Sequence, residues 1–136
     1  MKRFFVDTSF WIALELSDDQ NHDTALKFWS SIDFETVRLA TTSYVLDESV
    51  TFLNSRNAHQ NAVQLGESVL LSHYIELIHI DLDTFFEGWE SFKKYDDKRF
   101  SLTDCISFVV MRRLGLQEAL SFDSDFEQIG FLIQPQ

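Results

Sequence analysis

The residues most able to do chemistry in this chain are carboxylates placed where apolar runs stop. Asp7 closes the run Phe4-Phe5-Val6, and Asp123 closes Leu120-Ser121-Phe122. In an open parallel sheet, sites lie outside the carboxyl ends of the strands, so two strand-terminal aspartates share the productive edge. Each also has a plainer reading, because an Asp between a strand and a helix is an ordinary N-cap. Asp104 stands in the first turn of Leu102–Met111, a segment apolar nearly all round and therefore expected to be buried. A buried Asp needs a partner, and a capping box with Ser101 is one candidate. Glu48 and Asp47 flank opposite sides of the apolar arc Val45, Leu46, Val50, Phe52 and Leu53. Periodicity alone does not choose between them.

Carboxylates converging on one sheet edge repel one another unless cations neutralise them. Hydroxyls at Thr8, Ser9 and Thr103 stand beside them. An all-oxygen set of this kind suits Mg²⁺ or Mn²⁺, which keep several waters and bind phosphate. Zinc chemistry lacks ligands: Cys105 is alone, and His22, His59, His73 and His79 have no ligand spacing. The first three read as helix-surface or helix-end residues, and His79 as a satisfied strand residue. No glycine-rich phosphate loop or nucleophile elbow is present.

The elements that must position these groups alternate. Strands are expected at 3–6, 36–41, 75–80, 118–122 and 131–133. Helices are expected at about 9–16, 21–32, 43–53, 58–72, 82–95 and 102–114. Strands separated by helices require crossovers and predict a parallel sheet covered on both faces. No linker, repeat or low-complexity stretch interrupts the pattern, which predicts a single domain over 1–136.

With 14 Phe and 3 Trp the chain has ample core material. At this length it buries roughly two-thirds of its unfolded surface without a disulfide or structural metal. A lone cysteine forbids an internal disulfide and fits a reducing compartment. The start, Met1-Lys2-Arg3 before Phe4-Phe5-Val6, mimics a secretory signal, but Asp7 and Glu15 interrupt it and no small-residue cleavage site follows. No apolar run approaches membrane-spanning length. A cytoplasmic protein is expected. The 22 acidic and 11 basic residues give a net charge of −11, which argues against nucleic-acid binding by bulk electrostatics. The same excess fits carboxylates that hold cations, the cations then meeting a phosphate.

Taken together, these segments resemble the PIN-domain family, and within it the VapC-type toxins of toxin–antitoxin pairs. The resemblance runs through Phe5-Val6-Asp7-Thr8-Ser9, Thr41–Glu48, Ser101–Phe108 and Ser121–Phe126, in that order and over nearly the whole chain. The resemblance selects Glu48 over Asp47. It implies a three-layer α/β/α fold with a five-stranded parallel sheet in the order 3-2-1-4-5. It implies an endoribonuclease in which Asp7, Glu48, Asp104 and Asp123 hold Mg²⁺ or Mn²⁺, with Asp125 as a fifth acid or an orienting group. The implied chemistry is in-line attack by water on phosphorus, leaving a 5′-phosphate and using no 2′-hydroxyl nucleophile. Lys98 and Arg99, just before the third segment, either contact the RNA backbone or form an exposed charged turn. The first two helices are rich in Phe10, Trp11, Ile12, Leu14, Leu16, Leu26, Phe28 and Trp29, most of which must be core. The resemblance implies an antitoxin packed near these helices, in a groove formed by any surplus, and a homodimer. Two rivals stand beside it. A phosphatase with Asp7 as nucleophile lacks the usual second acid, since position 9 is Ser. A PIN-like module that binds without catalysis would have no need of all the acids.

Overall fold

A computed structural model describes residues 1–136. The chain alternates strands and helices as β1 Lys2–Val6, α1 Thr8–Glu15, α2 His22–Ser31, β2 Val37–Thr42, α3 Ser43–Ser55, α4 His59–Leu71, β3 Ile75–Ile78, α5 Leu82–Lys94, α6 Leu102–Leu114, β4 Glu118–Leu120, α7 Asp125–Gln128 and β5 Leu132–Gln134. All strands are parallel and lie in the order β3-β2-β1-β4-β5. This is the expected three-layer fold. Right-handed crossovers explain the layers: the chain steps one way from β1 to β3 and back the other way from β4 to β5, so its helices cover opposite faces.

The central strand shows why both faces must be covered. Phe4 meets Phe28 of α2, at 6.0 Å between ring centres, while Phe5 meets Phe126 of α7 at 6.2 Å. Successive side chains point to opposite faces, and both rings are buried. A continuous apolar strand is stable only between two helical layers.

Three expectations need correction. β3 stops at Ile78 instead of Ile80, because the Ile80 N–H turns to the Ser43 hydroxyl at 3.1 Å and Asp81 caps α5. His79 is therefore an exposed loop residue, not a strand residue. β4 stops at Leu120, so Asp123 does not end a strand; it stands in the loop before α7, a short helix not anticipated from the sequence.

Helices α5 and α6 approach closely at Gly88. A β-carbon there would lie 2.5 Å from Ile106 Cγ1 and 3.2 Å from its Cα. Gly88→Ala should therefore destabilise the fold. Overpacking costs about 1–3 kcal/mol, and the better helix propensity of Ala returns only about 1 kcal/mol. A lower urea midpoint with an unchanged m-value is the expected result. An unchanged or higher midpoint would show that the two helices part without cost.

Candidate active site

The site forms at the carboxyl edge of β1 and β4, where the strand order reverses. Asp7 follows β1 directly and caps α1. Its backbone N–H bonds the Leu120 carbonyl at 3.0 Å, which ties it to β4 just past the last paired residues. Its side chain is 3% exposed. Oδ2 accepts the hydroxyls of Ser9 and Ser121, each at 2.9 Å. Ser9 Oγ in turn accepts the Phe122 N–H at 2.9 Å, and Ser121 Oγ accepts the Asp123 N–H at 3.0 Å. Two serines thus knit the β1–α1 junction to the loop that carries Asp123. That loop closes on itself where Asp123 Oδ1 accepts the Asp125 N–H at 3.0 Å.

Asp104 arrives from a third element. It completes a capping box at the start of α6: Ser101 Oγ accepts the Asp104 N–H, and Asp104 Oδ2 accepts the Ser101 N–H, both at 3.0 Å. Cap and cluster coexist, because the helix N-terminus favours a negative group where the cluster needs one. Carboxylate oxygens of Asp104, Asp123 and Asp125 lie within 4.8 Å of one another. With Asp7 and Glu48 they line one cleft of about 320 Å³.

The structure separates the two α3 candidates. Glu48 is half-buried and lines the acidic cleft, whereas Asp47 is exposed and accepts the Thr51 hydroxyl at 3.4 Å. Thr8 and Ser9 line the cleft; Thr103 does not. Arg99 stands on the rim, and Lys98 lies off it with Asp97 at 3.8 Å. Ser121 was not singled out from sequence, though it lies in the segment quoted for Asp123. A serine two residues before an acid carries no signal until the fold brings it under Asp7.

The electrostatics follow from packing acids together. Burial raises the Asp7 carboxyl to about 6; hydrogen bonds from Ser9 and Ser121 pull it back, and the charge of Asp123 adds to the rise. Burial, then the neighbouring Asp7, pushes Asp104 well above the usual carboxylate range. Asp125 is raised by burial and by Asp123. Burial and Asp104 push the Cys105 thiol up to about 11, so it is no thiolate ligand at neutral pH.

The donor set fits a hard divalent cation. Every ligand atom is oxygen, the carboxylates are close enough to share an ion, and their self-repulsion is what a cation relieves. A further observation agrees: the Thr8 hydroxyl, in the cleft lining, is the one buried side-chain polar atom without a hydrogen-bond partner. An orphaned buried hydroxyl beside an acidic cleft is accounted for by an ion or its water.

Comparison with known proteins places the geometry in context. The sequence pattern described as PIN domain matches residues 4–132. The chain is 38% identical over 133 residues to the 23S rRNA-specific endonuclease VapC20 of Mycobacterium tuberculosis, covering 97% of this chain and 98% of that protein. The crystal structure of that relative, described as a Sarcin-Ricin loop cleaving toxin, superposes with a TM-score of 0.87 at 37% identity, covering 95% of this chain and 96% of the other. A toxin–antitoxin complex from Klebsiella pneumoniae shares the fold at a TM-score of 0.65 and 19% identity, covering 98% of both chains.

The burial of Asp7 has a thermodynamic consequence. The folded chain holds the Asp7 proton up to about pH 6, whereas an ordinary Asp releases it near 3.8. Between those values the folded state binds more protons, so stability falls as pH rises, by about 3 kcal/mol in all. Asp7→Asn should escape this cost. The variant is expected to be more stable than the parent by about 3 kcal/mol above about pH 6, and nearly equal below about pH 4. Urea unfolding of both proteins in chelator, at either end of that window, checks it. Equal stability at neutral pH would mean that the carboxylate is solvated and the cost absent.

Proposed function

This chain belongs to the PIN-domain family, and from that premise we propose that it is a divalent-metal-dependent endoribonuclease, the toxin of a toxin–antitoxin pair. One observation carries the reading: carboxylates of Asp104, Asp123 and Asp125 converge within 4.8 Å beside a buried Asp7. Such a cluster repels itself, and a divalent cation would relieve that repulsion. The relative named as a 23S rRNA-specific endonuclease supports RNA as the substrate and 23S rRNA as the first to test. An RNA substrate in turn supports a cytoplasmic place of action. No helix is long and apolar enough to cross a membrane.

Asp7, Glu48, Asp104 and Asp123 would hold Mg²⁺ or Mn²⁺, with Asp125 completing or orienting the set. When bound, the cation supplies Lewis-acid activation of water and charge stabilisation for in-line attack at phosphorus. The chain's own groups do the rest. Ser9 and Ser121 fix Asp7 by its Oδ2 in the lining of the cleft. The first turn of α6 aims Asp104 through the capping box. Arg99 offers the rim's one cation to the RNA backbone, while Lys98 sits off the cleft and would act at longer range. A phosphatase using Asp7 as nucleophile is disfavoured, since Asp7 is buried and Ser9 occupies the position that would need a second acid.

Two surfaces support protein partners. Between α1, α2 and α4 a cleft of about 280 Å³ is lined by Trp11, Leu14, Leu26, Trp29 and Leu65 together with the polar Glu15, Asn61, Gln64 and Ser68, a mixed lining that would take an amphipathic antitoxin helix. On α5, Leu82, Phe86, Trp89 and Phe92 stand exposed along one stripe, Trp89 and Phe92 stacked at 5.6 Å. The helix begins acidic, with Asp83, Glu87 and Glu90, and ends in Lys93 and Lys94. Two copies packed about a two-fold axis would bury the stripe, which supports a homodimer.

Two outcomes are expected. Purified protein should cut bacterial RNA with Mn²⁺ or Mg²⁺ and not with EDTA, should lose at least about 100-fold activity in Asp7→Asn, and should spare a small phosphomonoester. Metal-independent cutting, or full activity of Asp7→Asn, would sink the assignment. Trp89→Glu should convert a dimer to a monomer in size-exclusion chromatography with light scattering, because it buries a charge in the stripe. A dimer that persists would place the contact elsewhere.

A further inference from the structure

A second cleft, of about 480 Å³, opens beside the acid cluster and shares Ser9, Ile12 and Asp123 with its lining. Its volume falls in the range of roughly 300–1,000 Å³ typical of sites for small organic groups. Phe122 forms one wall, held by stacking on the buried Phe10 at 5.9 Å with 8° between the rings. Phe52 of α3 forms another, with the Arg56 guanidinium 5.5 Å from its ring centre. The rim is the loop between α1 and α2, where Asp19, Gln20 and Asn21 face the cleft.

That loop is ordered by its own bonds. The Asp19 N–H bonds the Leu16 carbonyl at 3.1 Å, the Asn21 N–H bonds Asp19 Oδ1 at 2.8 Å, and the His22 N–H bonds the Asp19 carbonyl at 3.0 Å. Asn21 precedes α2 without using its side chain as a cap. The amides of Gln20 and Asn21 therefore stand at a rigid rim with donors and acceptors unspent.

The charges choose the occupant. Asp19 and Asp123 line the cleft, so a phosphate inside it would be repelled. A flat neutral ring is not repelled. Its faces suit Phe52, Phe122 and Ile12, and its edge, with N–H donors and ring acceptors, suits a carboxylate and two amides. Arg56, beyond Phe52, offers a cation to the next phosphate of the strand.

We infer that this cleft binds the unpaired nucleobase flanking the scissile phosphate, and that Gln20 and Asn21, with Asp19, select which base is accepted. The inference rests on the ribonuclease reading and names how that site would discriminate among RNAs.

The experiment maps the wild-type cut in total bacterial RNA with Mn²⁺, then uses a fragment spanning the cut with each flanking nucleotide substituted in turn. Wild-type kcat/KM should fall about 10- to 100-fold for substitutions at one flanking base. The double variant Gln20→Ala, Asn21→Ala should flatten that preference to within about threefold. Phe52→Ala should raise KM by about 10-fold for every fragment alike, because stacking tolerates any base. Both variants should keep the rise in melting temperature that Mn²⁺ gives the wild type, which reports fold and metal site together. Gln20→Glu, nearly the same shape, should shift the preference towards bases presenting donors. A double variant that folds, gains the Mn²⁺ shift and retains the wild-type preference overturns the inference alone. A wild type that cuts no RNA overturns the ribonuclease reading and takes this inference with it.

Discussion

Negative groups gathered on one edge of a parallel sheet, with Asp7 withdrawn from water, set the terms for the rest of this structure. An ionised carboxylate in that position loses hydration and faces Asp123, while Asp104 faces Asp7 in turn. Hydrogen bonds from Ser9 and Ser121 soften the cost without cancelling it, since the Asp7 carboxyl still rises to about 6. A divalent cation would turn this repulsion into attraction at neutral pH. The fold therefore gathers unbalanced negative charge, and the reading of the site as metal-dependent rests on that imbalance.

The scaffold exists to hold the imbalance still. β1 is buried on both faces, so it cannot shift when the acids at its end repel. The reversal of strand order sets β4 beside it, and the Asp7 N–H to Leu120 bond continues the ladder into the site. α6 is buried from Asp104 to Met111 and fixes the third acid by its capping box. Gly88 lets α5 lie close against it. Asp7, Glu48 and Asp104 come from three different elements, and Asp123 and Asp125 from the segment that opens α7. Rigid elements place such groups more accurately than loops do.

Charge and apolar surface divide the outside between them. A chain with a net charge of −11 repels RNA over most of its surface. On the proposed reading, RNA binding would rest on local features: cations held by the acidic cleft, Arg99 at its rim, and the neighbouring cleft inferred to take a neutral base. The α5 stripe leaves apolar side chains exposed as a group, and such groups mark sites where protein partners cover surface.

Much of this was legible in the chain itself. The apolar run ending in Asp7, the Ser101–Asp104 capping box and the alternation of strands with helices are local patterns, set by neighbours in sequence. Strand order 3-2-1-4-5 and the preference for Glu48 came from resemblance, because no periodicity separates Glu48 from Asp47 on opposite flanks of one helix. Other features depended on contacts between distant segments. β4 yields to a loop after Ser121 because the Phe122 N–H turns to Ser9 Oγ, far away in sequence, and the Asp123 N–H to Ser121 Oγ. β3 yields at Ile78 because Ile80 bonds Ser43. Gln20 and Asn21 look like any polar loop until α3 brings Phe52 beside them and the β4–α7 loop brings Phe122. Sequence by itself determined which groups could carry charge and which runs had to be buried, since those follow from side-chain chemistry and periods of two and 3.6 residues. Only the tertiary structure decided which acids share a cleft, since proximity across a parallel sheet is set by crossovers and not by separation along the chain.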